Sequence, residues 1–185
     1  MIKIRKLCFN DMKQAIELKL LCWPEELNHC SESQLNFEEE FTFWTKWMEA
    51  SEENNDVRLL YGAFDDNSML GVAFGSFVES KSMPESGFEL NGLWVSPGYR
   101  GQGISLRLLS TLLREFYKLG SRQIVIYNFH YAPSNSFYRK LGCQVIDTEY
   151  QLKEQVPVDI FTGNIMEVQN KINVSLINYE KMEEK

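Results

Sequence analysis

The chain has 185 residues, enough for one well-buried domain and too few for two ordinary ones. Its 44% apolar and 24% charged content is that of a soluble globular protein. The net charge of −7 argues against a nucleic-acid surface, which needs a broad basic face, and is compatible with attraction of a cationic amine. No stretch approaches the run of about 18 apolar residues that spans a membrane, and the opening MIKIRKLCFNDMK holds no apolar signal core. Cys8, Cys22, Cys30 and Cys143 form neither a C-x-x-C pair nor a metal-type spacing, so reduced thiols, no metal and a cytoplasmic protein are expected.

In chain order, Ile2 and Ile4 alternate with Lys3 and Arg5 as a first strand. Asn10-Asp11 offers a cap to a helix through Met12, Ala15, Ile16, Leu18 and Leu21, expected to end before Pro24. Ser31 or Ser33 would cap a second helix through Leu35, Phe37, Phe41, Trp44 and Met48, with Glu38-Glu39-Glu40 as its solvated face. Val57–Phe64 and Met69–Phe77 flank the turn signal Asp65-Asp66-Asn67-Ser68 and read as a hairpin. Gly62, Gly71 and Gly75 inside its strands signal bends or close backbone approach. After a polar stretch from Glu79 to Ser86, Phe88–Val95 reads as a further strand, hairpin-paired with the one before it and therefore central.

Ser96-Pro97-Gly98 breaks that strand, Tyr99-Arg100-Gly101-Gln102-Gly103 forms a short loop, and from Ile104 Leu108, Leu109, Leu112, Leu113 and Phe116 recur at helical spacing. A strand, a glycine loop and a helix start together favour an anion. The first helical N–H groups lack intrahelical partners, and the helix dipole adds partial positive charge there. Gly101 and Gly103 leave no Cβ between those amides and a phosphate, and Arg100 supplies a fixed charge. Neither G-x-x-x-x-G-K-[ST] nor G-x-G-x-x-G is matched.

Beyond the helix, Arg122–Tyr127 reads as a buried strand parallel to the central one, through a right-handed crossover. Pro133–Leu141 follows as a short helix stopped by Gly142, then a strand from Cys143 to Thr148. Val158–Phe161 and Asn164–Val168 read as the final strand or strands. The domain is therefore placed at 1–168 and a tail at 169–185, whose Ile172, Val174, Leu176 and Ile177 would pack on the core or on a second subunit as a homodimer.

Two segments resemble one family. Arg100-Gly101-Gln102-Gly103-Ile104-Ser105 is similar to the [QR]-x-x-G-x-[GA] loop of the GNAT superfamily of acyl-CoA-dependent N-acyltransferases, with Ser105 where glycine or alanine is usual. Ser136-Phe137-Tyr138-Arg139-Lys140-Leu141-Gly142-Cys143 is similar to its F-Y-x-K-x-G-F segment, at about the expected interval. The resemblance implies an α/β fold with a mixed, mostly antiparallel central sheet of six to seven strands, helices on both faces, and a splay where coenzyme enters. It implies that Arg100, Gly101, Gln102, Gly103, Ile104 and Ser105 hold the pyrophosphate of acetyl-CoA, and that Leu93, Trp94 and Val95 line its pantetheine arm. The family asparagine that usually contacts this arm has no match; Tyr131 stands at its position, flanked by Asn128 and Asn135, and Asn135 would serve from a shifted register.

Acyl transfer to an amine needs a base for the ammonium, an acid for the thiolate and a donor to the thioester oxygen. Tyr138 looks like the family tyrosine that protonates the leaving thiolate. Glu89 is a provisional base, placed by strand alternation on one face with Asn91, Leu93 and Val95; ordered water is the alternative. By the same resemblance Trp23, Glu26 and His29 between the first two helices are candidate acceptor contacts, although a lone tryptophan or histidine there reads first as structural; His130 stands near the expected cleft and reads first as an exposed loop histidine. The expected function is transfer of an acetyl group to a small-molecule or peptide amine in a ternary complex, without metal, nucleic acid or membrane. The competing reading is a non-catalytic acyl-CoA sensor, which needs neither Tyr138 nor Glu89.

Overall fold

The computed structural model describes residues 2–27, 35–53, 56–79, 87–151 and 156–183. His29, Cys30, Ser31 and Ser33 lie outside them. Its strands are β1 (Lys3–Lys6), β2 (Arg58–Asp65), β3 (Ser68–Phe77), β4 (Gly87–Val95), β5 (Gln123–Phe129), β6 (Gln144–Gln151) and β7 (Val156–Asn164). Its helices are α1 (Met12–Leu27), α2 (Phe37–Glu53), α3 (Ile104–Lys118), α4 (Asn135–Lys140) and α5 (Ile165–Glu183). The strands form one sheet in the order β1-β2-β3-β4-β5-β7-β6, so the expected hairpin and the central place of β4 are both found. Only β4 and β5 run parallel, as the crossover through α3 requires.

Each face of the sheet carries a core. On one, Leu108, Leu109, Leu112, Leu113 and Phe116 of α3 and Ile172 of α5 pack against Phe88, Ile124 and Phe161. Full burial of each such side chain contributes about 1.5–3 kcal/mol. On the other, Met12, Ala15 and Ile16 of α1 and Trp44 of α2 cover Leu60, Val72, Phe74 and Trp94. The glycines of β3 set the distance of α3: a Cβ at Gly75 would stand 2.9 Å from Phe116, and one at Gly71 3.0 Å from Ile104. Close approach, not bending, is their purpose.

Three elements depart from expectation. α1 does not end before Pro24 but continues to Leu27. Proline gives up its own N–H bond and crowds the carbonyl one turn earlier, but its fixed φ is already helical, and the extra turn carries Glu25 and Glu26 forward. α2 begins at Phe37 and is capped by Asn36, whose Oδ1 accepts the N–H groups of Glu38 and Glu39 at 2.9 and 3.2 Å. Residues 165–168 are helix rather than strand, since Asn164 Oδ1 accepts the N–H groups of Met166 and Glu167 and starts α5. α5 runs through the expected boundary at 168 and packs on α3, with Ser110 and Gln169 hydrogen-bonded across the pair.

Two features of the sheet prepare the site. β4 pairs with β5 only at Gly87–Glu89 against Gln123–Val125, although the two strands continue to Val95 and Phe129. They diverge into a V. In β4, Leu90 and Gly92 oppose the adjacent Gly75 and Phe74, so Asn91 is an extra, bulged residue.

Candidate active site

The open arm of the V puts the backbone of Leu93, Trp94 and Val95 along a cavity of about 270 Å³. Arg100, Gly101, Ile104 and Ser105 close one end, Phe137 and Tyr138 of α4 one wall, and Cys22, Glu25 and Glu26 of α1 the other. Gly101 and Gly103 adopt φ of 78° and 73°, the left-handed region open to glycine, which folds the loop back onto the start of α3. No side chain among the described residues caps α3, so its first amides are free to meet an anion. Gly103 and Ser105 also line a groove of about 590 Å³ behind the loop, bounded by Lys140 and by Tyr179 of α5. Gln102 is exposed at the loop tip.

Arg100 is not a free phosphate ligand in this arrangement. Its Nε donates to the Val95 carbonyl at 3.1 Å, one terminal nitrogen donates to the Glu25 carboxylate, and the other lies 3.6 Å from Cys22 Sγ. Hydrogen bonding to Glu25 raises its already high pKa. Glu25, delivered by the extra turn of α1, is a partner that strand and loop motifs alone do not announce.

A second cavity, of about 230 Å³, lies between the diverging β4 and β5 and shares Glu26, Leu93, Trp94, Ser134 and Tyr138 with the first. Tyr138 therefore stands where the two meet. It is 6% exposed, and burial, then the charge of Glu26, raises its phenol above the usual range. The hydroxyl stays protonated throughout the neutral range.

Glu26 and its neighbours form a hydrogen-bonded chain across the mouth of the V. Ser134 Oγ donates to Glu26 Oε2 at 2.6 Å, and Asn128 Nδ2 donates to Ser134 Oγ at 2.8 Å and to Asn135 Oδ1 at 2.7 Å. Asn135 is 3% exposed, and its Nδ2 donates to the carbonyls of Phe129 and His130, both at 2.9 Å. Its side chain is spent bracing the connection from β5 to α4 and does not face the first cavity. The groups that do are Ser134 and Glu26.

The bulge at Asn91 corrects the strand parity. Leu93 and Val95 pack into the α3 core, whereas Glu89, opposite Ser76, lies on the α1 face with Trp94. Glu89 Oε1 accepts from Asn91 Nδ2 at 3.1 Å, and Asn91 Oδ1 accepts from Ser76 Oγ at 3.1 Å. Burial, the leading cause, raises the Glu89 carboxyl above its ordinary 4.5. Asn91 and Tyr127 line the second cavity; Glu89 stands immediately behind them, at the last β4–β5 pair. Trp23 lines the same cavity and packs edge-on against Phe129 at 5.5 Å. His130 points elsewhere: its Nδ1 lies 2.8 Å from Asp159 Oδ1, on β7.

A splayed sheet with an uncapped helix start at one end, a buried phenol in the middle and a second cavity beyond it suits a transfer between two substrates. The acetyltransferase (GNAT) family model matches residues 12–143. The chain belongs to that family and is an N-acetyltransferase. Among solved structures it is similar to PaiA N-acetyltransferase from Thermoplasma acidophilum in complex with coenzyme A, with 23% identity and a TM-score of 0.70 over 89% of this chain and 99% of that one. It is similar to ribosomal-protein-alanine N-acetyltransferase from Brucella melitensis (17%, 0.66, 88% and 99%) and to yncA from Salmonella typhimurium with its cofactor acetyl-CoA (17%, 0.62, 89% and 94%). No curated protein matches the sequence significantly. Among the described residues, no helix is long and apolar enough to cross a membrane, and no cluster of acidic, histidine and cysteine side chains suits a metal.

Proposed function

We propose that the enzyme moves an acetyl group from acetyl-CoA to a primary amine by direct attack within a ternary complex. The observation that carries this reading is Tyr138 on the wall shared by two cavities, one ending at the glycine loop and one opening away from it. The site fits the coenzyme: uncapped α3 amides and left-handed glycines suit the pyrophosphate, and the unpaired edge of Leu93–Val95 suits the amide-bearing arm. The coenzyme supplies the activated thioester. Everything else falls to this chain.

The amine enters the second cavity as an ammonium and is held by Glu26, the acid that lines both cavities. Glu89, its pKa raised by burial, takes one ammonium proton through water beside Asn91. The free amine attacks the carbonyl carbon, while a β4 backbone N–H donates to the developing oxyanion. The C–S bond then breaks, Tyr138 gives its proton to the leaving thiolate, and the second proton on nitrogen restores the phenol. One proton is released overall. A coenzyme sensor would need neither the second cavity nor a buried phenol at the junction.

Calorimetric titration with acetyl-CoA and with desulfo-CoA tests the coenzyme site, and micromolar binding of both is expected. Tyr138→Phe should bind acetyl-CoA as the parent does and lower kcat by about 10²–10⁴-fold, the usual worth of a positioned acid. Equal turnover by the variant would remove the role given to Tyr138. Failure of the parent to bind either ligand would remove the acyltransferase chemistry itself.

A further inference from the structure

Resting on that reading, we infer that the acceptor is a small primary monoamine with a flat aromatic body, an arylalkylamine, and that Trp23 selects it. The second cavity holds about 230 Å³, below the roughly 300 Å³ at which pockets for drug-sized ligands begin. An aminosugar oligomer does not fit such a space. Five of its lining side chains are aromatic: Trp23 of α1, Trp94 of β4, Tyr127 and Phe129 of β5, and Tyr138 of α4. Trp23 and Phe129 pack edge to face at 5.5 Å, and both line the cavity where an incoming ring would lie.

Charge decides the rest. Lys19 lines this cavity too, but it is not offered to an anionic acceptor. Its ammonium donates to Glu40 Oε2 at 2.5 Å and lies 5.0, 5.1 and 5.5 Å from the ring centres of Trp23, Trp44 and Trp94. Its side chain is 8% exposed. The lysine is neutralised by its partner and stacked about with indoles, so the carboxylate of an amino acid would be buried without a cation. Among the described lining residues the one acid is Glu26, at the Tyr138 end, where the reacting nitrogen belongs. A diamine would place its second ammonium beside Lys19, whose own ammonium already occupies the indole faces, with no second carboxylate lining that wall. One positive charge at the Glu26 end and one flat ring at the aromatic end match the charge and the aromatic walls. Beside them stand the polar Asn91, Asn128 and Gln151 and the buried Trp23 Nε1, which has no hydrogen-bond partner among the described residues.

The test measures thiol release from acetyl-CoA with 2-phenylethylamine, n-butylamine, 1,4-diaminobutane and phenylalanine. Expected values of kcat/KM for phenylethylamine exceed those for butylamine by about tenfold, the worth of one aromatic contact. They exceed those for phenylalanine by about a hundredfold, the cost of a buried unpaired carboxylate. Trp23→Leu and, separately, Phe129→Leu should bring phenylethylamine and butylamine to within about twofold of each other while acetyl-CoA affinity stays that of the parent. Preference for phenylalanine or the diamine, or acetyl-CoA binding without turnover of phenylethylamine, overturns the inference and leaves the acyltransferase reading standing. Absence of acetyl-CoA binding in the parent sinks both, and calorimetry separates that case from the others.

Discussion

Two carboxylates respond to the fold in opposite senses, and each has a measurable consequence. Asp11 accepts two hydrogen bonds from Arg5, at 2.7 and 2.8 Å, and one from the Cys8 N–H at 2.8 Å. The Arg5 hydrogen bond holds its pKa well below the carboxylate range. A depressed pKa stabilises the folded state above the unfolded value, near 4, and that contribution is lost progressively as pH falls below it. Asp11→Asn should therefore lose about 1–2 kcal/mol at pH 7, discounted for the half-exposed Arg5, and unfold with a shallower acid dependence in urea titrations between pH 3 and 7. Glu89 is the reverse case. Its pKa is raised by burial, so its ionisation disfavours the fold as pH climbs through the window above 4.5. Glu89→Gln should be more stable than the parent at neutral pH and yet about 10²-fold slower in kcat. With Glu89 as the proposed base, the parent would lose activity when that carboxylate gains a proton, so the acid limb of the pH–rate profile should vanish in the variant. A variant that keeps that limb would move the base to ordered water alone.

At the scale of elements, what was legible in the sequence follows the range of the forces involved. The hairpin β2–β3, the glycine loop and α3 are encoded by neighbours in sequence, by turn residues and helical spacing, and were readable from them. The parallel β4–β5 pair followed from crossover handedness. Of the misjudged pieces, the Asn164 cap was marked locally and outweighed by composition, whereas the others turned on contacts with no sequence marker. Pro24 stays helical because the turn after it docks into the cleft, and Asn164 caps a helix in a stretch whose composition suits strand equally well. The bulge at Asn91 inverted the predicted face of Glu89, because a single inserted residue flips every side chain beyond it. Of the site, Tyr138 and the glycine loop were legible by motif; the Glu25–Arg100 pair and the Glu26–Ser134–Asn128 chain were not, since their members lie far apart in the chain. The C-terminal helix is another such element. Ile172 is fully buried against the α3 core, so Ile172→Ala should cost about 2–5 kcal/mol in urea unfolding. Because α5 also bounds the groove behind the loop, the same variant should weaken acetyl-CoA binding more than it alters the amine KM.

For the molecule as a whole, the net charge of −7 acts on both substrates at long range, with opposite sign. In the proposed reaction the coenzyme, a polyanion, would approach a like-charged body, and an ammonium acceptor an oppositely charged one. Screening shortens the reach of both interactions to about 8 Å at physiological ionic strength, beyond which only the local site matters. Raising salt from about 20 to 300 mM, a range over which exposed charges more than a Debye length apart become largely screened, should therefore lower kcat/KM for the amine. The same change should speed the association of acetyl-CoA. Arg100, the cation of the glycine loop, is paired with Glu25 and so offsets this asymmetry little. Stopped-flow association of acetyl-CoA and steady-state kinetics with a neutral-bodied primary amine, run across the same salt series, measure the two slopes separately. Slopes of the same sign would mean that local charge at the glycine loop governs coenzyme capture, and would shift the burden from the global field to the amides at the start of α3.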